Sequence, residues 1–185
     1  PSVSASRSPE PQVIDPEPDQ PRTLGIEFVQ RWWAGDGWLF VDTRARELSE
    51  SQQNSADRLL ASLAQAACGE RQPEVTYLID WPLFMNRAIK HDLEEAQFYI
   101  GQKWRTLQQT VPISRLVLLG DLSEELIVPL LDADCVSVPK DQQVYTWQQG
   151  DVSCLRAPGT SELLHLPGEK KGLWHVLNAW VVAGS

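Results

Sequence analysis

The stretch Val75-Thr76-Tyr77-Leu78-Ile79-Asp80-Trp81-Pro82 decides the fold. Its first five residues form an apolar, β-prone run without polar alternation, as expected of a strand covered on both faces, and Asp-Trp-Pro marks the turn after it. A long helical stripe follows at 86–109, where Ile89, Leu93, Ala96, Ile100, Trp104 and Leu107 recur at steps of three and four residues. Residues 116–119 read as a second buried strand, closed by Gly120-Asp121, and Ser123 opens a helix that runs to 131. Strands at 135–138 and 152–155 come next. A closing helix at 169–181 carries Leu173, Val176, Leu177 and Trp180 on its buried face. Alternating strands and helices imply crossover connections and helices on both sides of a sheet. The expected fold is α/β: a three-layer α/β/α sandwich around a mainly parallel four-stranded sheet.

Upstream of this pattern, 26–29 and 38–41 are β-type runs joined through Trp32, Trp33 and Ala34-Gly35-Asp36-Gly37. Glycine and aspartate supply the positive φ values of a tight reversal, so a β-hairpin is expected here, extending or flanking the sheet. Residues 54–68 form a helix with Leu59, Leu60, Leu63, Ala64 and Ala67 on one face, and Gly69 ends it. Residues 1–22 hold six of the 13 prolines and few apolar side chains. Such a segment cannot repay its ordering entropy, and it reads as a disordered linker. The domain expectation is a linker at 1–22 and one α/β domain at 23–185, divided into a hairpin and helix at 23–72 and a core at 73–185.

The composition bounds function. A chain of 185 residues buries enough surface to need no disulfide or metal staple. Its formal charge of −9 repels phosphate backbones, which argues against direct nucleic-acid binding. No apolar run reaches the roughly 18 residues of a membrane span. Cys68, Cys135 and Cys154 are odd in number and widely spaced, which suits free thiols in a reducing cytoplasm. No phosphate-binding glycine loop, nucleophile elbow or zinc spacing is written in the chain, so no cofactor, metal or catalytic residue is expected.

Ligands of open parallel sheets sit at the carboxyl ends of the strands. Here those ends offer Asp80, Trp81, Gly120, Asp121 and Pro158 as a candidate pocket. Asp80 and Asp121 supply an acid and a base only if a pocket shifts one pKa. The simpler reading is that each aspartate binds the backbone N–H groups of its turn. Trp32, Trp33 and Trp38, three of eight tryptophans, crowd the hairpin and form a candidate protein interface, with burial in the core as the competing account.

The segment Ser161-Glu162-Leu163-Leu164-His165-Leu166-Pro167-Gly168-Glu169-Lys170-Lys171-Gly172-Leu173-Trp174 resembles the C-terminal signature of the uracil-DNA glycosylase superfamily. Its Leu-Leu, Pro, Lys and Trp fall at the family spacing, and the resemblance extends over about residues 73–181. It implies the glycosylase-like fold and argues against the activity. The family's strand-end histidine is replaced by Gly159, or by Ala157 before Pro158. The first catalytic motif is replaced by Asp80-Trp81-Pro82-Leu83-Phe84, and the iron–sulfur cysteines are missing. A non-catalytic relative of this fold, the psi subunit of bacterial DNA polymerase III, joins the clamp loader to its chi partner, and this chain is similar to it in size class, ending and N-terminal lead. The resemblance implies a cytoplasmic bacterial accessory that binds a clamp-loader or chi-like protein. The alternative is an enzyme using Asp80 and Asp121 on a small substrate. A closed strand-end region would favour the accessory.

Limited proteolysis of the full chain is expected to cut before about Thr23 and leave a stable core, because exposed polar segments are cleaved first. A clipped core with a lower melting temperature would show that the tail packs on the domain.

Overall fold

The computed structural model describes residues 25–69, 73–83, 91–131 and 143–183. The linker expected at 1–22 and the strand expected at 135–138 lie outside the described residues. Six strands form one sheet: β1 (Phe28–Gly35), β2 (Trp38–Ala45), β3 (Val75–Trp81), β4 (Arg115–Leu119), β5 (Tyr145–Gln149) and β6 (Val152–Ala157). The helices are α1 (Glu50–Cys68), α2 (Leu93–Gln108), α3 (Asp121–Ile127), α4 (Thr160–Leu163) and α5 (Pro167–Ala183), with a 3₁₀ turn at Val128–Leu130.

The α/β class holds, but the sheet is mixed rather than mainly parallel and four-stranded. Its order is β3-β1-β2-β4-β6-β5. β2 pairs with β4, and β4 with β6, in parallel; the β1–β2, β1–β3 and β5–β6 pairs are antiparallel. The N-terminal hairpin, expected to extend or flank the sheet, is part of it, with β1 and β2 between β3 and β4. β2 is a central strand with every residue but Ala45 buried. The hairpin closes through Asp36 (φ 53°) and Gly37 (φ 79°), with Gly35 opposite Trp38. Two successive positive φ values match the twist of a two-residue reversal. The strands are therefore longer than the apolar runs suggested, and both Trp32 and Trp33 lie within β1.

β3 pairs with β1 and is an edge of the described sheet, so it is not covered on both faces. Ile79 and Trp81 point into the core, whereas Thr76, Leu78 and Asp80 are exposed. β5 and β6 form a second hairpin, turned at Gly150 (φ 57°). The long helix, expected from residue 86, begins at Leu93: Asp92 is extended, and its side chain accepts the Glu95 N–H and so caps the first turn. Ser49 and Gln52 cap α1 reciprocally.

Two cores sandwich the sheet. On one face, α2 and α3 cover Phe28, Trp32, Val41, Ile79 and Leu118, with Ile100, Trp104 and Leu126 from the helices. On the other, α1 and α5 cover Trp38, Phe40, Val117, Leu119 and Leu155, with Leu63, Leu173 and Leu177. Of the residues expected on the buried face of the closing helix, Val176 and Trp180 are only half-buried against this second core, as is Trp174. Leu173 and Leu177 anchor the helix.

Trp38 is 2% exposed, stacks on Phe40 and meets Trp180 of α5 at 6.0 Å. Trp38→Ala is expected to cost about 3–5 kcal/mol, since truncating a buried indole leaves a cavity. Val182, 77% exposed, should tolerate serine within about 0.5 kcal/mol. Urea denaturation measures both; an unchanged midpoint for Trp38→Ala would contradict the packing described.

Candidate functional site

β1 is antiparallel to both β2 and β3, so β2, β3, β4 and β6 all run the same way. Their carboxyl ends share one edge, and Asp80, Trp81, Gly120, Asp121 and Pro158 all lie there. They do not converge. β3 and β4 are separated by β1 and β2, which sets their ends about 14 Å apart at roughly 4.8 Å per strand. The Asp80 side chain is 55% exposed and accepts from Arg46 Nε at 3.0 Å. Asp121 is 80% exposed and paired with Arg156, whose guanidinium also lies over the Tyr145 ring. Trp81 is buried, stacked on Phe28 and edge-on to His91, and its Nε1 has no hydrogen-bond partner.

Gly120 and Pro158 belong to the seam between β4, β6 and β2. Gly120 has φ 89° and donates its N–H to the Ala157 carbonyl at 2.9 Å. A Cβ at Gly120 would sit 2.8 Å from the Thr43 carbonyl oxygen and 3.7 Å from the Gly159 Cα. A glycine is thus required both by backbone conformation and by close approach. Pro158, Gly159 and Thr160 are all buried. Two depressions remain at this edge: one of about 230 Å³ lined by Glu27, Thr43, Gly120, Asp121 and Glu162, and one of about 470 Å³ lined by Asp121, Glu124, Glu125, Tyr145 and Arg156.

The residues that organise this edge escaped the sequence reading. Asp42 and Arg44 alternate with Thr43 on β2, so both point to the α1 side, and both side chains are fully buried. Asp42 Oδ2 accepts from Arg44 Nε and from the Thr160 hydroxyl, each at 2.5 Å, and Asp42 Oδ1 accepts the Thr160 N–H at 3.0 Å. The Arg44 Nη1 donates to Asp57 Oδ1 of α1 at 2.5 Å, while Arg31 of β1 donates to Asp57 Oδ2 at 3.0 Å. Arg44 Nη2 is buried without a partner. One buried pair therefore ties β1, β2, α1 and α4 together.

Thr43 faces the other way. Trp32 Nε1 donates to Gln30 Oε1 at 2.7 Å, and Gln30 Nε2 donates to Thr43 Oγ1 at 2.8 Å. Thr43 and Ser123 share a 2.6 Å hydrogen bond, and Ser123 passes its own proton to the Leu119 carbonyl at 2.6 Å. That commitment makes Thr43 the donor to Ser123. The available signal in the sequence was the polar triplet Asp42-Thr43-Arg44 directly after the apolar run at 38–41.

Burial lifts the Asp42 carboxyl above its ordinary value, opposed by the Arg44 charge and the Thr160 hydrogen bonds. Burial pushes the Cys154 thiol up to about 12, which leaves it protonated and unreactive. Burial, followed by Glu124, raises Tyr145. Among the described residues no cluster of three metal-ligating side chains occurs. No helix there is long and apolar enough to cross a membrane.

Of the two accounts of the hairpin indoles, interface and core, burial places Trp32 and Trp38 in the core. Trp32 is 2% exposed and meets Tyr77 and Trp104 edge-on, and Trp38 is as deeply buried on the opposite face. Trp33 is half-buried, edge-on to Phe40 at 5.9 Å. Helices packed on both sides of the sheet give each of the two buried indoles an interior place.

Asp42→Asn is expected to destabilise the protein by about 3–5 kcal/mol, because Arg44 loses its buried charged partner and only the partly exposed Asp57 is left to balance the guanidinium. A raised carboxyl contributes stability that is complete below the ordinary carboxylate range and lost as pH rises through its folded value. The asparagine variant should lack that pH dependence. Thermal unfolding across pH tests this, and a variant matching the parent chain at neutral pH would contradict it.

No protein-family model, curated protein or solved structure matches this chain.

Proposed function

We propose that this protein is a non-catalytic, protein-binding accessory on a uracil-DNA glycosylase-like scaffold. In this reading it is comparable in role to the psi subunit of bacterial DNA polymerase III and works in the cytoplasm with a clamp-loader or chi-like partner. The observation that carries the reading is that the seam between β2, β4 and β6 is closed by backbone and the strand-end carboxylates do not converge. Gly120 and Gly159 press against the Thr43 carbonyl, and the Asp42–Arg44–Thr160 cluster fills the space beneath. Catalysis at such an edge needs a concave pocket and convergent acid and base groups. Asp80 and Asp121 stand about 14 Å apart by the spacing of strands, and each is exposed and held by its own arginine. The charge of −9 also favours a protein partner over a nucleic acid.

The test is reconstitution. Full-length protein mixed with purified clamp loader and chi is expected to co-elute with one of them, and to release no uracil from single-stranded DNA. Failure to co-elute would remove the psi-like assignment. Uracil release that disappears in Asp80→Asn would overturn the non-catalytic reading.

A further inference from the structure

Beside the closed edge, the connection from β2 to α1 and the turn from α4 to α5 enclose a groove of about 430 Å³. Its walls are Leu48 on one side and Leu164, His165 and Leu166 on the other. Leu164 and Leu166 are 39% and 38% exposed, among the few large apolar side chains left in solvent. Two polar side chains of the lining are engaged within the chain. Gln52 Oε1 accepts the Ser49 N–H at 3.0 Å, and Glu162 Oε2 accepts the Gly159 N–H at 3.2 Å. The leucine walls of the groove offer apolar contact.

Its exposed charge is acidic. Glu162 lines it, and Glu47 and Glu50, both exposed, flank Leu48 in the chain. The nearest basic residues in sequence, Arg46 and Lys170, are half-buried, and Arg46 is engaged by Asp80 and Glu27. This charge selects among occupants. The chain's own N-terminal segment carries Glu10, Asp15, Glu17 and Asp19 against Arg7 and Arg22, so it is acidic like the rim. A second copy brings another net −9. Both are repelled.

We propose that this groove docks a segment of a partner protein that presents two apolar side chains next to basic residues. The proposal rests on the protein-binding reading and names its surface. The leucines supply the buried centre of the contact, and the carboxylates supply the complementary rim that speeds encounter. The groove volume falls in the range of about 300–1,000 Å³ usual for sites that enclose a few side chains' worth of ligand.

The experiment selects random short peptides displayed on phage against the immobilised full chain, then measures synthetic copies of the enriched peptides by fluorescence anisotropy. Enriched peptides are expected to pair two apolar residues with a net positive charge. Leu164→Ser combined with Leu166→Ser should weaken them by about tenfold or more, as loss of a central apolar anchor does. Leu48→Ser on the opposite wall should act the same way, with thermal midpoints close to that of the parent chain. Glu47→Gln with Glu50→Gln, or added salt, should weaken binding by slowing association. Enriched peptides that bind the leucine variants as tightly as the parent chain, or that are acidic, would overturn the groove and leave the protein-binding reading standing. A selection that enriches nothing would overturn both.

Discussion

The buried pair Asp42–Arg44 is the constraint on which the rest of this protein depends. Two opposite charges on one face of a central strand are costly to desolvate and are kept only with good geometry and further hydrogen bonds. Here the further partners come from other elements. Thr160 begins the turn after β6, Asp57 belongs to α1, and Arg31 reaches Asp57 from β1. The pair has its full set of partners only when all of these elements are in place, so it specifies their arrangement as well as stabilising it. On the opposite face of β2, Thr43 continues a chain of hydrogen bonds from Trp32 to the end of β4. The strand therefore carries polar networks on both sides at the point where its two apolar cores end.

That arrangement explains why the middle of the edge usual for ligand binding, between β2, β4 and β6, is filled. A sheet in which four strands point the same way places its loops at one edge. In this chain the loops after β4 and β6 meet through two glycines, and the space that side chains would otherwise frame is taken by backbone. The exposed carboxylates at that edge are left as separate surface ion pairs, worth little individually in solvent. Apolar exposure lies just beside the closure, at Leu164 and Leu166, where the short α4 turns into α5. Closure and exposed groove share a cause: Asp42 holds Thr160, and so fixes the start of the turn that displays both leucines.

The interposition of β1 is the other organising event. By pairing with both β2 and β3 it separates two co-directional strands and turns a parallel pattern into a mixed sheet. It also brings Trp32 between Tyr77 and Trp104, so an aromatic cluster binds the hairpin to β3 and α2. Edge-to-face contacts of this kind add about 0.5–1.5 kcal/mol each beyond the area they bury.

The sequence by itself determined what is local. The α/β class, the Asp36-Gly37 reversal, the stripe of α1 and the carboxyl-end location of Asp80, Trp81, Gly120, Asp121 and Pro158 follow from periodicity and turn chemistry. Only the tertiary structure decided what is distant. Val29 faces Asp80 and Asp42 holds Thr160, contacts between residues far apart in the chain whose pairing no local pattern encodes. For that reason the hairpin, expected to extend or flank the sheet, lies inside it. Trp32 and Trp38, weighed as interface or core, are core, and the strand expected as covered at 75–79 runs on to Trp81 and is an edge of the described sheet. The same reason hid Asp42 and Arg44: a charged pair at a strand end looks solvated until α1 and α4 close over it, and burial is a property of the whole packed chain.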